Sequence, residues 1–202
     1  MRRRRRRRQG AALLALAGAT AAAVAAFAVF PVGAPAQGRD AAATATYTPG
    51  PHNIQRPEDW ERRFIRYATV DRPDRKIIRS LYVNPEAFAA ARPGQPLPDG
   101  TFIVMADHRA RVDAKGAPLL DQAGRFIPEG PIIAIGVQEK RAGWGEGYPP
   151  EKRNGQWEYA RFNPDGTRHP NLDMNGCFAC HIGTRAAQDF AFNFWDYVQA
   201  RR

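Results

Sequence analysis

Cys177-Phe178-Ala179-Cys180-His181 is the stretch around which the chain is arranged. It reads C-x-x-C-H, the attachment signature of a c-type haem. Two thiols add across the vinyl groups of a haem as thioethers, and the adjacent His181 ligates the iron as proximal ligand. The spacing follows from that chemistry: one short turn brings two sulfurs to the porphyrin edge and an imidazole under the metal. Cys177 and Cys180 are the only cysteines in the chain. Two other chemistries use paired cysteines. A redox dithiol sits at a helix N-terminus in a βαβ pattern, which the neighbouring sequence lacks. A structural zinc takes four ligands, and no second close pair of Cys or His occurs; His52, His108 and His169 are scattered. One covalently attached haem c per chain is the expectation.

The start of the chain says where such a haem would be attached. Met1 is followed by seven arginines, Arg2 to Arg8, then by an uncharged Ala/Leu/Val-rich run to about Val32, then by Ala34-Pro35-Ala36. A basic segment, an apolar segment and a small-residue A-x-A site make a secretory signal. Cleavage is expected after Ala36. The apolar run is also long enough to stay as an N-terminal membrane anchor. Either way the haem domain is expected in the periplasm, outside the bacterial inner membrane, where c-type haem is attached. Removing residues 1–36 takes away seven arginines and no acid, so the formal charge falls from +10 to +3. The basic balance belongs mostly to the targeting segment and gives no case for nucleic-acid binding. The remaining 166 residues suit one domain.

Residues 37–56 read as a flexible lead-in, and 57–202 as the haem domain. Pro57, Glu58 and Asp59 mark a helix start, and Trp60, Phe64 and Tyr67 recur at helix spacing as a core face. Ile77 to Val83 is a strand or a short buried helix. Asn84-Pro85-Glu86 opens a helix over Ala87 to Ala91. Pro98-Asp99-Gly100 is turn chemistry, and Thr101 to Met105 and Ile132 to Val137 read as strands. Asp113 to Gly124 is polar and turn-like. Trp157 to Phe162 alternates apolar and polar residues, the pattern of a half-buried strand. The tail, Asp189 to Val198, is rich in aromatics. The fold class is therefore α+β, mainly an antiparallel β-sheet with flanking helices, carrying a single c-type haem. An ordinary small cytochrome c is all-helical, with its motif near the N-terminus and an axial Met downstream. Here the motif lies near the C-terminus, and Met105 and Met174 both precede it.

Four segments in order carry a family resemblance: Ile78 to Glu86, ending in Tyr-Val-Asn-Pro-Glu; Asp99-Gly100-Thr101 before a strand; Asn154 to Tyr159 around Trp157; and the haem motif followed by Asp189-Phe190-Ala191-Phe192. The chain resembles the cytochrome P-460 family, which includes the β-sheet cytochromes c-prime, over about residues 57 to 197. The resemblance implies a homodimer and a five-coordinate haem with His181 proximal. Family members oxidise hydroxylamine or bind nitric oxide. The oxidising members carry a lysine cross-linked to the porphyrin, on the strand after Asp-Gly-Thr. Met105 stands at that position, so the cross-link is expected to be absent; Lys140, on the next strand, does not match. Those members also carry a distal carboxylate before the haem motif, a region occupied here by Leu172 and Asp173, with Leu172 the closer match. Arg79 matches an arginine near the haem pocket.

Met105 and Leu172 at those positions predict an apolar distal side, which favours neutral nitric oxide over charged or hydrogen-bonding substrates. Three readings follow. The first is a haem protein binding nitric oxide or a related small nitrogen species. The second is an oxidoreductase acting on hydroxylamine, nitric oxide or peroxide, with Arg79 or Asp173 as the polar participant and a periplasmic redox partner. The third is an electron-transfer cytochrome with a sixth ligand from Met105, Met174 or His108.

Overall fold

The computed structural model describes residues 47–170 and 173–201. The segment read as signal or anchor and the first part of the lead-in, to residue 46, lie outside the described residues, as does Leu172. Among the described residues no helix is long and apolar enough to cross a membrane.

Five antiparallel strands form one sheet in the order β1-β2-β3-β4-β5, each paired with the strand before it in sequence. They are β1 Ile65–Arg72, β2 Ile77–Val83, β3 Phe102–Ala110, β4 Pro128–Lys140 and β5 Trp157–Phe162. Among the described residues four α-helices accompany them: α1 Trp60–Arg63, α2 Pro85–Ala90, α3 Met174–Arg185 and α4 Asn193–Gln199. The α+β class read from the sequence is the fold observed.

The largest departure lies at the start. The helix expected through Tyr67 lasts one turn, and the chain then extends as β1. A four-residue helix has little stability of its own, whereas residues 65–72 gain a whole ladder against β2. Tyr67 falls at an irregularity where Arg66 pairs with Tyr82 and Ala68 with Leu81. The bulge leaves Tyr67 unpaired, and its ring packs 5.0 Å from Phe194 and 5.7 Å from Tyr197. Phe64 instead meets Phe102, 5.9 Å away, so the two aromatics serve different cores.

Those two cores follow the period of two along each strand. One packs Val83, Ile103, Trp157 and Tyr159 against Phe178 of α3 and Phe194 and Val198 of α4. The other, on the reverse face, packs Val104, Ala106, Ile135, Ala160 and Phe162 under Ile54 and Trp60. Strand β5 is therefore not half-buried as its alternation implied. Trp157, Glu158, Tyr159 and Ala160 are all buried, because both faces are covered.

Glu158 shows how. Its Oε1 accepts hydrogen bonds from the hydroxyls of Tyr47 and Tyr148, the Gly50 N–H and the Asn53 side-chain amide. The end of the segment read as a flexible lead-in is thus packed onto β5, with Ile54 fully buried. Burial, together with the neighbouring Glu158 carboxylate, raises the Tyr47 and Tyr148 hydroxyl pKa values. In the stretch 111–127, Asp113 and Asp121 each accept two backbone N–H groups through Oδ1, making two successive tight turns.

Candidate haem site

Asp173 begins the local order of the site. It is the N-cap of α3, its carboxylate accepting the Asn175 N–H at 2.9 Å. The motif then lies inside a helix rather than in one short turn. Spacings of three and four place Cys177, Cys180 and His181 along one helix face, and all three line one cavity of about 380 Å³. The thiols are not joined in a disulfide.

His181 is held on three sides. Its Nδ1–H donates to the Phe190 carbonyl at 2.5 Å, leaving Nε2 as the nitrogen for a metal. The Tyr159 ring lies 4.7 Å from the imidazole, and Phe192 meets it edge-on at 4.6 Å. Burial lowers the His181 pKa, with the Phe190 carbonyl acting in the opposite sense. A neutral imidazole is the form that ligates a metal. Burial likewise raises the pKa of the Cys177 thiol.

The opposite wall is the sheet. Leu81, Met105 and Gly136 form an apolar floor from three adjacent strands. Met105 depends on Gly136: its Cε lies 2.6 Å from where a Cβ on Gly136 would sit. Beside this floor Arg79 and Asp107, direct partners across β2 and β3, form a two-pronged ion pair, Nε to Oδ1 at 2.8 Å and the second guanidinium nitrogen to Oδ2 at 2.9 Å. Arg72, Arg75 and Arg161 also line the cavity.

This donor set fits a haem. Two thiols and an oriented neutral imidazole stand on one wall, an apolar floor faces them, and arginines are present for two carboxylate side chains. The competing zinc reading finds no support: among the described residues no three His, Cys, Asp or Glu side chains converge on a metal position.

Of the residues singled out in the sequence, Cys177, Cys180, His181, Met105 and Arg79 come together here. Asp173 does not: it is an exposed helix cap outside the cavity lining. The expectation of an apolar distal side is corrected by Asp107, a buried carboxylate on the sheet wall that sequence reasoning missed. Its signal was present, since Asp107 follows Met105 by two on the same strand and so shares its face. His108 points to the other face, with Nδ1 3.3 Å from the Gly130 carbonyl. Met174 packs against the helix-side core rather than the cavity. Met105 is therefore the one sixth-ligand candidate that lines the cavity. Lys140 Nζ is occupied at 2.7 Å by both the Asp189 carboxylate and the Leu97 carbonyl.

No curated protein matches the chain. The family model described as Cytochrome P460 matches residues 57–193, more than half of the chain and the whole span from β1 to the first residue of α4. With the five-stranded sheet and the helix bearing the C-x-x-C-H motif in place, the chain belongs to the cytochrome P460 family of haem proteins.

Proposed function

We propose that this is an exported haem protein that binds nitric oxide or a related small nitrogen species at an open iron face. Cys177 and Cys180 would hold one haem c through thioethers, and His181 would ligate its iron. The haem supplies an iron that takes up the small ligand. The chain's residues supply the rest. Phe190, Tyr159 and Phe192 fix the imidazole, and Leu81, Met105 and Gly136 give an uncharged floor.

The observation that carries the reading is the methionine at position 105 with no lysine among the described cavity residues. In the oxidising members, that position bears the cross-linking lysine. Lys140, on the next strand, is tied to Asp189. The Arg79–Asp107 pair also weighs against proton abstraction. Both oxygens of Asp107 are engaged by the guanidinium, and taking a proton would break that fork. One observation favours the second reading, oxidation of hydroxylamine: Asp107 is the carboxylate at the cavity. Under that reading it accepts a substrate proton once a ligand draws Arg79 away.

Mass spectrometry, ferrous spectra with and without nitric oxide, and hydroxylamine turnover with an artificial acceptor test this. The expected results are the mass of one porphyrin, lost in Cys177→Ala/Cys180→Ala; a high-spin ferrous band that shifts with nitric oxide; and negligible turnover. Rapid hydroxylamine oxidation abolished by Asp107→Asn would establish the second reading instead, and a chain without the porphyrin mass would end both.

A further inference from the structure

The turn after α3 is the most strained backbone near the site. Asp189 and Phe190 are consecutive non-glycine residues in the left-handed region, with φ of 47° and 56°. Aspartate tolerates that region, but a phenylalanine rarely adopts it. Such a conformation is costly and persists only when the surroundings over-determine it.

The surroundings do so here. Asp189 Oδ2 accepts from Lys140 Nζ at 2.7 Å and from the Leu97 N–H at 2.8 Å. The Asp189 carbonyl accepts the Trp157 indole N–H at 2.8 Å. The Phe190 N–H returns to the Arg185 carbonyl at 2.9 Å. The Phe190 ring lies against Gly155, with ring carbons 3.0 and 3.1 Å from where a Cβ there would sit. The ion pair is nearly enclosed, its side chains 12% and 14% exposed. What this brace delivers is one carbonyl, that of Phe190, aimed at His181 Nδ1.

We propose that Lys140, Asp189 and Trp157 are positioning residues that tune the iron through this carbonyl. The inference rests on His181 being the proximal ligand. A well-aligned carbonyl on Nδ1–H gives the imidazole more anionic character, makes it a stronger donor and favours ferric over ferrous iron. The brace crosses from β4 and β5 to the turn after α3, so the sheet sets the potential of a metal held by a helix. Lys140 thereby has a role without touching the porphyrin.

The test uses haem-loaded protein. Asp189→Asn keeps the shape and the tolerance for the left-handed region while removing the charge; Lys140→Met removes the cation. Both are expected to shift the ferric-to-ferrous equilibrium about tenfold toward ferrous, a rise of about 59 mV in midpoint potential for one electron. Both should also lower the iron–histidine stretching frequency of the ferrous protein in resonance Raman spectra. Arg125→Gln, which removes a remote ion pair with Asp71, should lower thermal stability and leave both readouts in place. Should Asp189→Asn fail to load haem, Trp157→Phe, which deletes the indole donor to the Asp189 carbonyl and leaves a smaller ring in the core, gives the same readouts. An iron–histidine band present in the unaltered protein and unmoved in the variants overturns the inference alone. Absence of that band from the unaltered protein overturns the His181 assignment and the inference together.

Discussion

Arg79→Met isolates the charge pair on the sheet wall. It removes the guanidinium and keeps most of the aliphatic stem. Arg79 and Asp107 are 15% and 10% exposed and meet at 2.8 Å. At an effective dielectric of about 20 the gross attraction at that distance is ~6 kcal/mol. Desolvation offsets much of this, so the pair's net worth is small beside the cost of breaking it. Removing one partner of a buried pair typically costs about 3–5 kcal/mol, because the other charge stays behind uncompensated. With one side of this pair on a cavity, the low end applies, about 3 kcal/mol. At about 2–4 °C per kcal/mol for a domain of this size, melting of the haem-loaded protein should fall by about 6–12 °C. The double variant Arg79→Met/Asp107→Leu removes both charges and should return to within about 1 kcal/mol of the parent. Calorimetry and denaturant titration on all four members of the cycle measure the coupling. A single variant within about 0.5 kcal/mol of the parent, or a double variant as unstable as the two singles summed, would refute the claim that this pair is desolvated and mutually dependent.

Three further outcomes are expected. Gly136→Ala should push the flexible end of Met105 into the cavity. It should slow nitric oxide association in stopped-flow measurements while costing less than about 1.5 kcal/mol in stability. Phe194→Ala, at a fully buried position against Tyr67, should cost about 3–5 kcal/mol by chemical denaturation. The third concerns acid. The hydrogen bond from Arg125 holds the Asp71 pKa below its ordinary value of 3.8. A carboxyl depressed in the fold contributes stability that is present above the unfolded pKa and lost as pH falls through the folded one. Arg125→Gln should therefore lower stability at pH 6 and narrow its difference from the parent below about pH 4, as unfolding at a series of pH values would reveal.

The strands of this fold were legible where apolar runs are continuous, as in Phe102 to Val104 and Ile132 to Val137. Their ends were not. Asp107-His108-Arg109 and Glu129-Gly130 look like loop composition, yet β3 and β4 run through them. Burial of a charged residue depends on a partner elsewhere. Arg79 lies 28 positions before Asp107, and only strand pairing makes them neighbours. The same holds for Glu158, which looks like a solvent-facing strand residue until Tyr47, 111 positions away, covers it. Tyr67 was misread because its spacing from Trp60 and Phe64 fits a helix, and a bulge is a property of two strands rather than one. The haem motif was readable because its chemistry is local: two sulfurs and an imidazole within five residues. Its second layer, the carbonyl of Phe190, depends on a backbone conformation that no residue type announces.

The simple succession of neighbours in the sheet has a consequence for how the molecule is made. Each strand pairs with the segment just before it in the chain, so the sheet wall of the cavity can assemble from neighbouring segments with little loop-closure entropy to overcome. Cys177 and Cys180 follow all five strands in the chain, so the thiols meet a half-site whose other side pairs without them. A chain cut short before α3 would keep its strand pairings, bare the face that Phe178, Phe194 and Val198 cover, and have nothing to tether a porphyrin.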